Sequence, residues 1–138
     1  MRKFAWLIVC PMLLVACSKN PIVGKWNMSD GSMPAGAKFV VEFKGDGTFV
    51  MNCEISQMGI VAKIDSSGTY KMEGEKLSTT ISKFIIDDSQ ISAAYRQVAK
   101  SQLEQMMNKP IEGTFKLEGE TGTWTTANGS IITLTKAK

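Results

Sequence analysis

Five times in this chain a glycine stands two residues ahead of an aromatic ring: Gly24-Lys25-Trp26, Gly47-Thr48-Phe49, Gly68-Thr69-Tyr70, Gly113-Thr114-Phe115 and Gly122-Thr123-Trp124. In an extended backbone, residues two apart share a face, so each glycine and its ring point the same way. A glycine takes bulk off the concave side of a sheet and lets it bend, and a nearby ring covers the backbone laid bare. The threonine that usually separates them faces outward, where its β-branch favours a strand. Five such units constrain the chain to an antiparallel sheet that curls and closes. Two of them extend to near-identity, GTYKMEGE at 68–75 and GTFKLEGE at 113–120. Their shared tail is a strand running into a chain reversal, so the repeat reads as architecture and not as a duplicated active-site loop.

Period-two alternation fills in the remaining strands. Ile22, Gly24, Trp26 and Met28 share one face, as do Phe39, Val41 and Phe43, and then Phe49, Met51, Cys53 and Ile55. One long run, Ile60 to Met72, keeps a single phase with a bend expected between Ser66 and Gly68. Leu77, Thr79 and Ile81 follow, then Ile111 to Leu117, Gly122 with Trp124, and Ile132 with Leu134. KGDG (44–47), QMG (57–59), EGE (73–75), EGE (118–120) and NG (128–129) supply the glycines that tight hairpin turns need. The prediction is a mainly β fold: an eight-stranded antiparallel up-and-down barrel. One interruption breaks the strands, an amphipathic helix predicted over 88–108 between strands five and six. Asp87, Asp88 or Ser89 can cap it, Pro110 ends it, and Ile91, Ala94, Tyr95, Val98, Gln102, Leu103 and Met106 form its stripe. It is expected to pack over the barrel wall or one open end; a lid over a cavity and a partner-binding helix are the alternatives.

The N-terminus carries a different signal. Arg2 and Lys3 precede thirteen residues, Phe4 to Ala16, that are almost wholly apolar and interrupted by Pro11. That is a secretory leader, shorter than the roughly 20 residues needed to span a bilayer. Leu14-Val15-Ala16-Cys17 resembles the lipobox of bacterial lipoproteins, in which the cysteine thiol takes a diacylglycerol before cleavage. The resemblance implies a signal peptide at 1–16, palmitate-type acyl chains on Cys17, and a membrane partner reached through that covalent lipid. Ser18 after the cysteine points, by the same likeness, to the outer membrane of a Gram-negative bacterium. Residues 17–21 then form a tether whose four residues beyond the cysteine reach about 14 Å at most. The folded domain, 22–138, is expected to sit close to the bilayer.

Gly24-Lys25-Trp26 on the first strand resembles the first signature of the lipocalin superfamily. The likeness implies a lipocalin-like barrel in which Gly24 and Trp26 close one end, and a cavity for a small apolar ligand. Lys136 is the residue of the last strand that could stand where the family carries arginine. Candidate cavity-lining positions are Met51, Cys53, Ala62, Tyr70 and Phe115. Eight-stranded barrels are either filled by their own side chains or hold one small ligand. The many inward rings favour filling, while Ala62, Ser66, Gly68 and Thr79 leave room.

Chemistry narrows the function classes further. The chain has no histidine, which removes the usual base near neutral pH and the commonest metal ligand. Asp87 with Asp88, and Glu73 with Glu75, sit where capping and turns explain them. No catalytic residue, metal site or cofactor is expected, and the chain is read as a non-enzyme. Two of the 16 basic side chains lie in the leader, leaving 14 against 13 acidic ones. That balance argues against nucleic acid as a partner. Cys10 leaves with the leader and Cys17 is spoken for, so Cys53 has no disulfide partner and is either a small buried hydrophobe or a cavity-lining thiol. The expected role is a membrane-anchored binder of a small apolar ligand. Its alternative is a filled-barrel envelope module that meets another protein through the helix, with Arg96, Lys100 and Glu104 on its polar side.

Overall fold

The computed structural model describes residues 20–31, 33, 35–87 and 91–138. The expected signal peptide, the lipobox-like stretch with Cys17 and most of the expected tether lie outside the described residues. Eight strands run in chain order: β1 (Gly24–Asp30), β2 (Ala37–Phe43), β3 (Thr48–Gln57), β4 (Ile60–Glu73), β5 (Lys76–Asp87), β6 (Ile111–Glu118), β7 (Thr121–Thr126) and β8 (Ile131–Lys136). The helix α1 (Ala93–Met106) stands between β5 and β6. Each strand pairs antiparallel with its neighbours, and β1 pairs with β8 from Trp26↔Lys136 to Asp30↔Ile132, closing the barrel. The eight-stranded up-and-down architecture expected from the alternation is the one observed.

The glycine-aromatic units act across strands as well as along them. Gly24 faces Phe43 in register and Gly68 faces Phe49. Between β6 and β7 the exchange is reciprocal. A Cβ added at Gly113 would sit 2.6 Å from Trp124 Nε1, and one at Gly122 would sit 2.5 Å from Phe115 Cζ. Each ring therefore occupies the space that the neighbouring strand's glycine leaves. The two EGE reversals are alike, with Gly74 at φ 60° and Gly119 at φ 62° opening two-residue turns. Gly47 lies in the β2–β3 turn expected at 44–47, at φ 86°, and its carbonyl accepts from the Tyr70 N–H at 2.8 Å.

One end of the barrel is shut. Ile22 belongs to a turn rather than to the first strand, held by Val23 N–H donating to the Asn20 carbonyl at 3.0 Å. That turn tucks Ile22 beneath Trp26, whose Nε1–H donates to the Ile22 carbonyl at 2.7 Å; both side chains are fully buried. Phe115 meets the Trp26 ring edge-on at 6.4 Å, and Lys136 Nζ lies 5.0 Å from its centroid. Phe43, Phe49, Tyr70, Leu77 and Leu134 complete the plug. Tyr70 caps it by donating its hydroxyl to the Lys44 carbonyl at 2.6 Å.

The other end opens. β5 pairs with β6 only from Lys76↔Thr114 to Thr79↔Ile111, whereas it pairs with β4 as far as Lys63↔Asp87. The register slips where Ser67 faces Lys83 but Gly68 faces Ile81, the bend expected near Ser66 to Gly68. Beyond that bulge β3, β4 and β5 extend past the end of β6, with β2 beside β3 as far as Ala37↔Ile55.

Candidate functional site

The open end carries the apolar surface. Turn residues Met58 and Gly59, both at positive φ (53° and 77°), reverse β3 into β4. This leaves the Met58 side chain completely exposed at the tip. Ile55, Ile60, Ala62 and Ile64 continue inward from the tip, and Ile86 joins them from β5. Tyr95 and Ala99, four apart on one stripe of α1, close the opposite side together with Ile91 just ahead of the helix. Together they bound a cleft of about 350 Å³ in which Ser92 is the polar exception.

The helix is shorter than the predicted 88–108. It starts after Ser92, whose Oγ accepts from Tyr95 N–H at 3.5 Å, and not after Asp87, Asp88 or Ser89; of those, Asp88 and Ser89 lie outside the described residues. Asn108 ends it at φ 59° and donates its N–H to the Ile81 carbonyl at 2.9 Å, pinning the exit to β5. No residue from Ala93 to Met106 is buried. Tyr95 is 74% exposed, Val98 57% and Met106 44%, so the stripe that should pack on the barrel is mostly in water. A helix of this length has little stability without a buried face. The cleft is roofed loosely. On the polar side, Lys100 lies 4.0 Å from Glu104.

The predicted lining residues separate along the barrel. Ala62 lines the cleft. Met51 and Cys53 lie deeper: Cys53 is buried beside Ile64, and Met51 packs on the core beside Ser66. Burial pushes the Cys53 thiol up to about 11, keeping it protonated near neutral pH. Tyr70 and Phe115 belong to the shut end with Gly24 and Trp26. Sequence reasoning missed Ile55, Met58, Ile64, Ile86 and Ile91 as lining. A usable signal was present, because the inward phase of Leu77, Thr79 and Ile81 switches to Phe84 and Ile86, the mark of a bulge and of a strand that runs on.

Among the described residues, two buried polar atoms, Ser66 Oγ and Trp124 Nε1, have no hydrogen-bond partner. Ser66 lies one inward step below Ile64 on β4. Two carboxylates whose protonation is shifted sit elsewhere. Glu73, at the β4–β5 turn, is held below the usual carboxylate range by its hydrogen bond from Lys71, 2.9 Å away, and by that lysine's charge. Asp46 is lowered chiefly by the Thr48 hydroxyl and then by the Thr48 N–H.

No family model matches the chain, and no curated protein does. Among solved structures, an uncharacterized protein from Bacteroides eggerthii is similar over 84% of this chain and 99% of its own. The identity is 14% and the TM-score 0.49.

Proposed function

We propose that the chain is an envelope lipoprotein, fixed to a bilayer through Cys17, that holds the apolar part of a small molecule in the cleft between the β3–β5 extension and α1. The observation that carries this reading is the cleft itself: about 350 Å³ of space walled almost entirely by isoleucine, alanine, methionine and tyrosine. Specific small-molecule sites are concave and predominantly apolar, and a volume near this size takes one acyl chain or a few fused rings. The shut end supports the same assignment from the other side, because Trp26, Phe115, Leu77 and Leu134 leave the lower barrel to its own side chains. Binding is therefore assigned to the cleft and not to a central calyx.

Titration with cis-parinaric acid, a fluorescent polyene fatty acid, tests the assignment. The chain is expected to bind one equivalent, and Ala62→Phe, which pushes a ring into the cleft, to weaken binding by about tenfold or more. Failure of the unsubstituted chain to bind, or equal binding by the variant, would refute it. A second reading, a protein-interaction module, is favoured by the exposure of Tyr95, Val98 and Met106 on α1. It predicts that Val98→Asp abolishes cross-linking to an envelope protein in intact cells while Ala62→Phe leaves cross-linking unchanged.

A further inference from the structure

The barrel wall is unevenly charged. On the β4–β5–β6 side the exposed charges alternate in sign: Lys71, Glu73 and Lys76, then Glu112, Lys116 and Glu118. Across the barrel, on β8, β1 and β2, basic side chains are in excess. Lys25, Lys38, Lys136 and Lys138 border one shallow trough of about 580 Å³, with Asn27, Val40 and Thr135 between them. Among the described residues, none of the four has a carboxylate within ion-pair distance. Glu42, opposite Lys25 in register, and Glu54, opposite Lys38 on β3, border this face, and Glu54 lies 4.0 Å from Lys63. The next strand, β7, turns Thr121, Thr123 and Thr125 outward and adds no charge.

This face is continuous with the point where the chain leaves the barrel toward Cys17. Lys136 lies over Trp26, Trp26 is bonded to Ile22, and Ala137 N–H donates to the Lys25 carbonyl at 2.9 Å. Ile22 is fully buried, so the tether cannot swing from a point further up the chain. From Ile22 back to Cys17 is five residues, about 17 Å at full extension. So short a tether lets the barrel surface come within the screening length, about 10 Å at 0.1 M, over which phosphate charge acts on a lysine.

We infer that the lysine face of β8–β1–β2 rests on the anionic headgroups of the bilayer that holds Cys17, so that the barrel lies on its side. Because β5 is four strands from β1 in an eight-stranded ring, this orientation turns β5 and the α1 side of the cleft away from the membrane, while the β3 wall stays next to β2. The inference rests on the lipid-anchor reading above and adds a direction to it. An apolar ligand would then enter from the aqueous side and not directly from the adjoining leaflet.

Lysine reactivity reads the orientation out. The lipid-bearing protein, reconstituted in vesicles of phosphatidylglycerol and phosphatidylethanolamine or held in neutral detergent, is acetylated briefly and its peptides are weighed. Lys25, Lys38 and Lys138 are expected to lose about threefold or more of their reactivity in the anionic vesicles and to regain it at about 0.5 M salt. Lys83 and Lys100 should not change. Equal protection of both groups of lysines, or the same protection in phosphatidylcholine vesicles, would overturn the inference. The Cys17 peptide, weighed in the same digest, separates the two readings. A lipid-modified Cys17 with reactive lysines defeats the lysine face alone, and an unmodified Cys17 with reactive lysines defeats the anchor as well.

Discussion

The two ends of this barrel are built from the same strands and differ in almost every physical respect. At the end where the chain enters, all eight strands are paired, and an edge-on pair of rings, Trp26 and Phe115, is sealed from below by Ile22. At the other end β6 leaves β5 after Thr79, and three strands and a helix with no buried residue enclose a loose apolar cleft. Completed pairing lets side chains from every strand meet on one axis and fill it. Incomplete pairing spreads the same kinds of side chain over a surface that water reaches. With binding proposed for the cleft, stability and binding fall to different ends, and substitutions at the two ends should fail differently.

The sharpest contrast is between the two large aromatics, Trp26 and Tyr95. Trp26→Ala removes a fully buried indole, its bond to the Ile22 carbonyl and its contact with Phe115. The expected cost is about 3–5 kcal/mol, a large share of the about 5–15 kcal/mol that a small domain possesses. Tyr95→Ala, at a position 74% exposed, should change the urea midpoint by less than about 0.5 kcal/mol equivalent yet weaken parinaric acid binding. Comparable losses of stability at both sites would erase the distinction between the ends.

A smaller effect probes how the shut end is packed. Gly122→Ala places a methyl against the Phe115 ring, which must shift, and overpacking of this kind costs about 1–3 kcal/mol. Shortening the ring with Phe115→Leu should make the glycine substitution nearly silent in the double variant. Additive losses in the denaturation midpoints would mean that ring and glycine do not share one space.

How far the sequence carried this picture depends on what each feature needs. Strand number, barrel closure and the bend at Ser66 to Gly68 follow from alternation and glycine placement, which are local properties of the chain. The closing role of Gly24 and Trp26 was expected from the resemblance of Gly24-Lys25-Trp26 to a family signature and not from alternation. The division of candidate lining residues between a plug and a cleft was not legible. Met51, Cys53, Ala62, Tyr70 and Phe115 share the inward face, and their height along the barrel is fixed by register and by the bulge opposite Ser67, which arise only when strands pair. The helix stripe misled for a related reason. Apolar spacing of Tyr95, Val98 and Met106 says that a face exists and not that anything covers it.

Cys53 lies between the two regions and tests how dry the middle of the barrel is. With the folded thiol near 11 and the unfolded one near 9.0, the folded state favours the neutral form. This contribution to stability is fully present below pH 9, and it is lost progressively as pH rises from there through 11, because the unfolded chain ionises first. Alkylation by iodoacetamide at pH 8 should be at least about tenfold slower than in urea, since the thiolate is the nucleophile and burial suppresses it. Rates that match in the two conditions would place Cys53 in contact with the cleft's water.

The smallest expected effect concerns the cation over the plug. Lys136 Nζ stands 5.0 Å from the Trp26 centroid, and its Cε lies 3.5 Å from where a Cβ at Gly24 would be, so it covers the first strand's glycine and its ring together. Exposed cation–π contacts are worth about 0.5–1 kcal/mol. Lys136→Gln should lower stability by that amount, while Lys136→Arg should retain or slightly raise it, because a guanidinium stacks on indole at least as well as an ammonium does. A charge effect without a stacking effect would look different: glutamine and arginine would then diverge only at low salt. Loss of the difference at about 0.5 M salt would therefore assign Lys136 to the electrostatics of the β8–β1–β2 face, and its persistence would assign the side chain to the closure of the barrel.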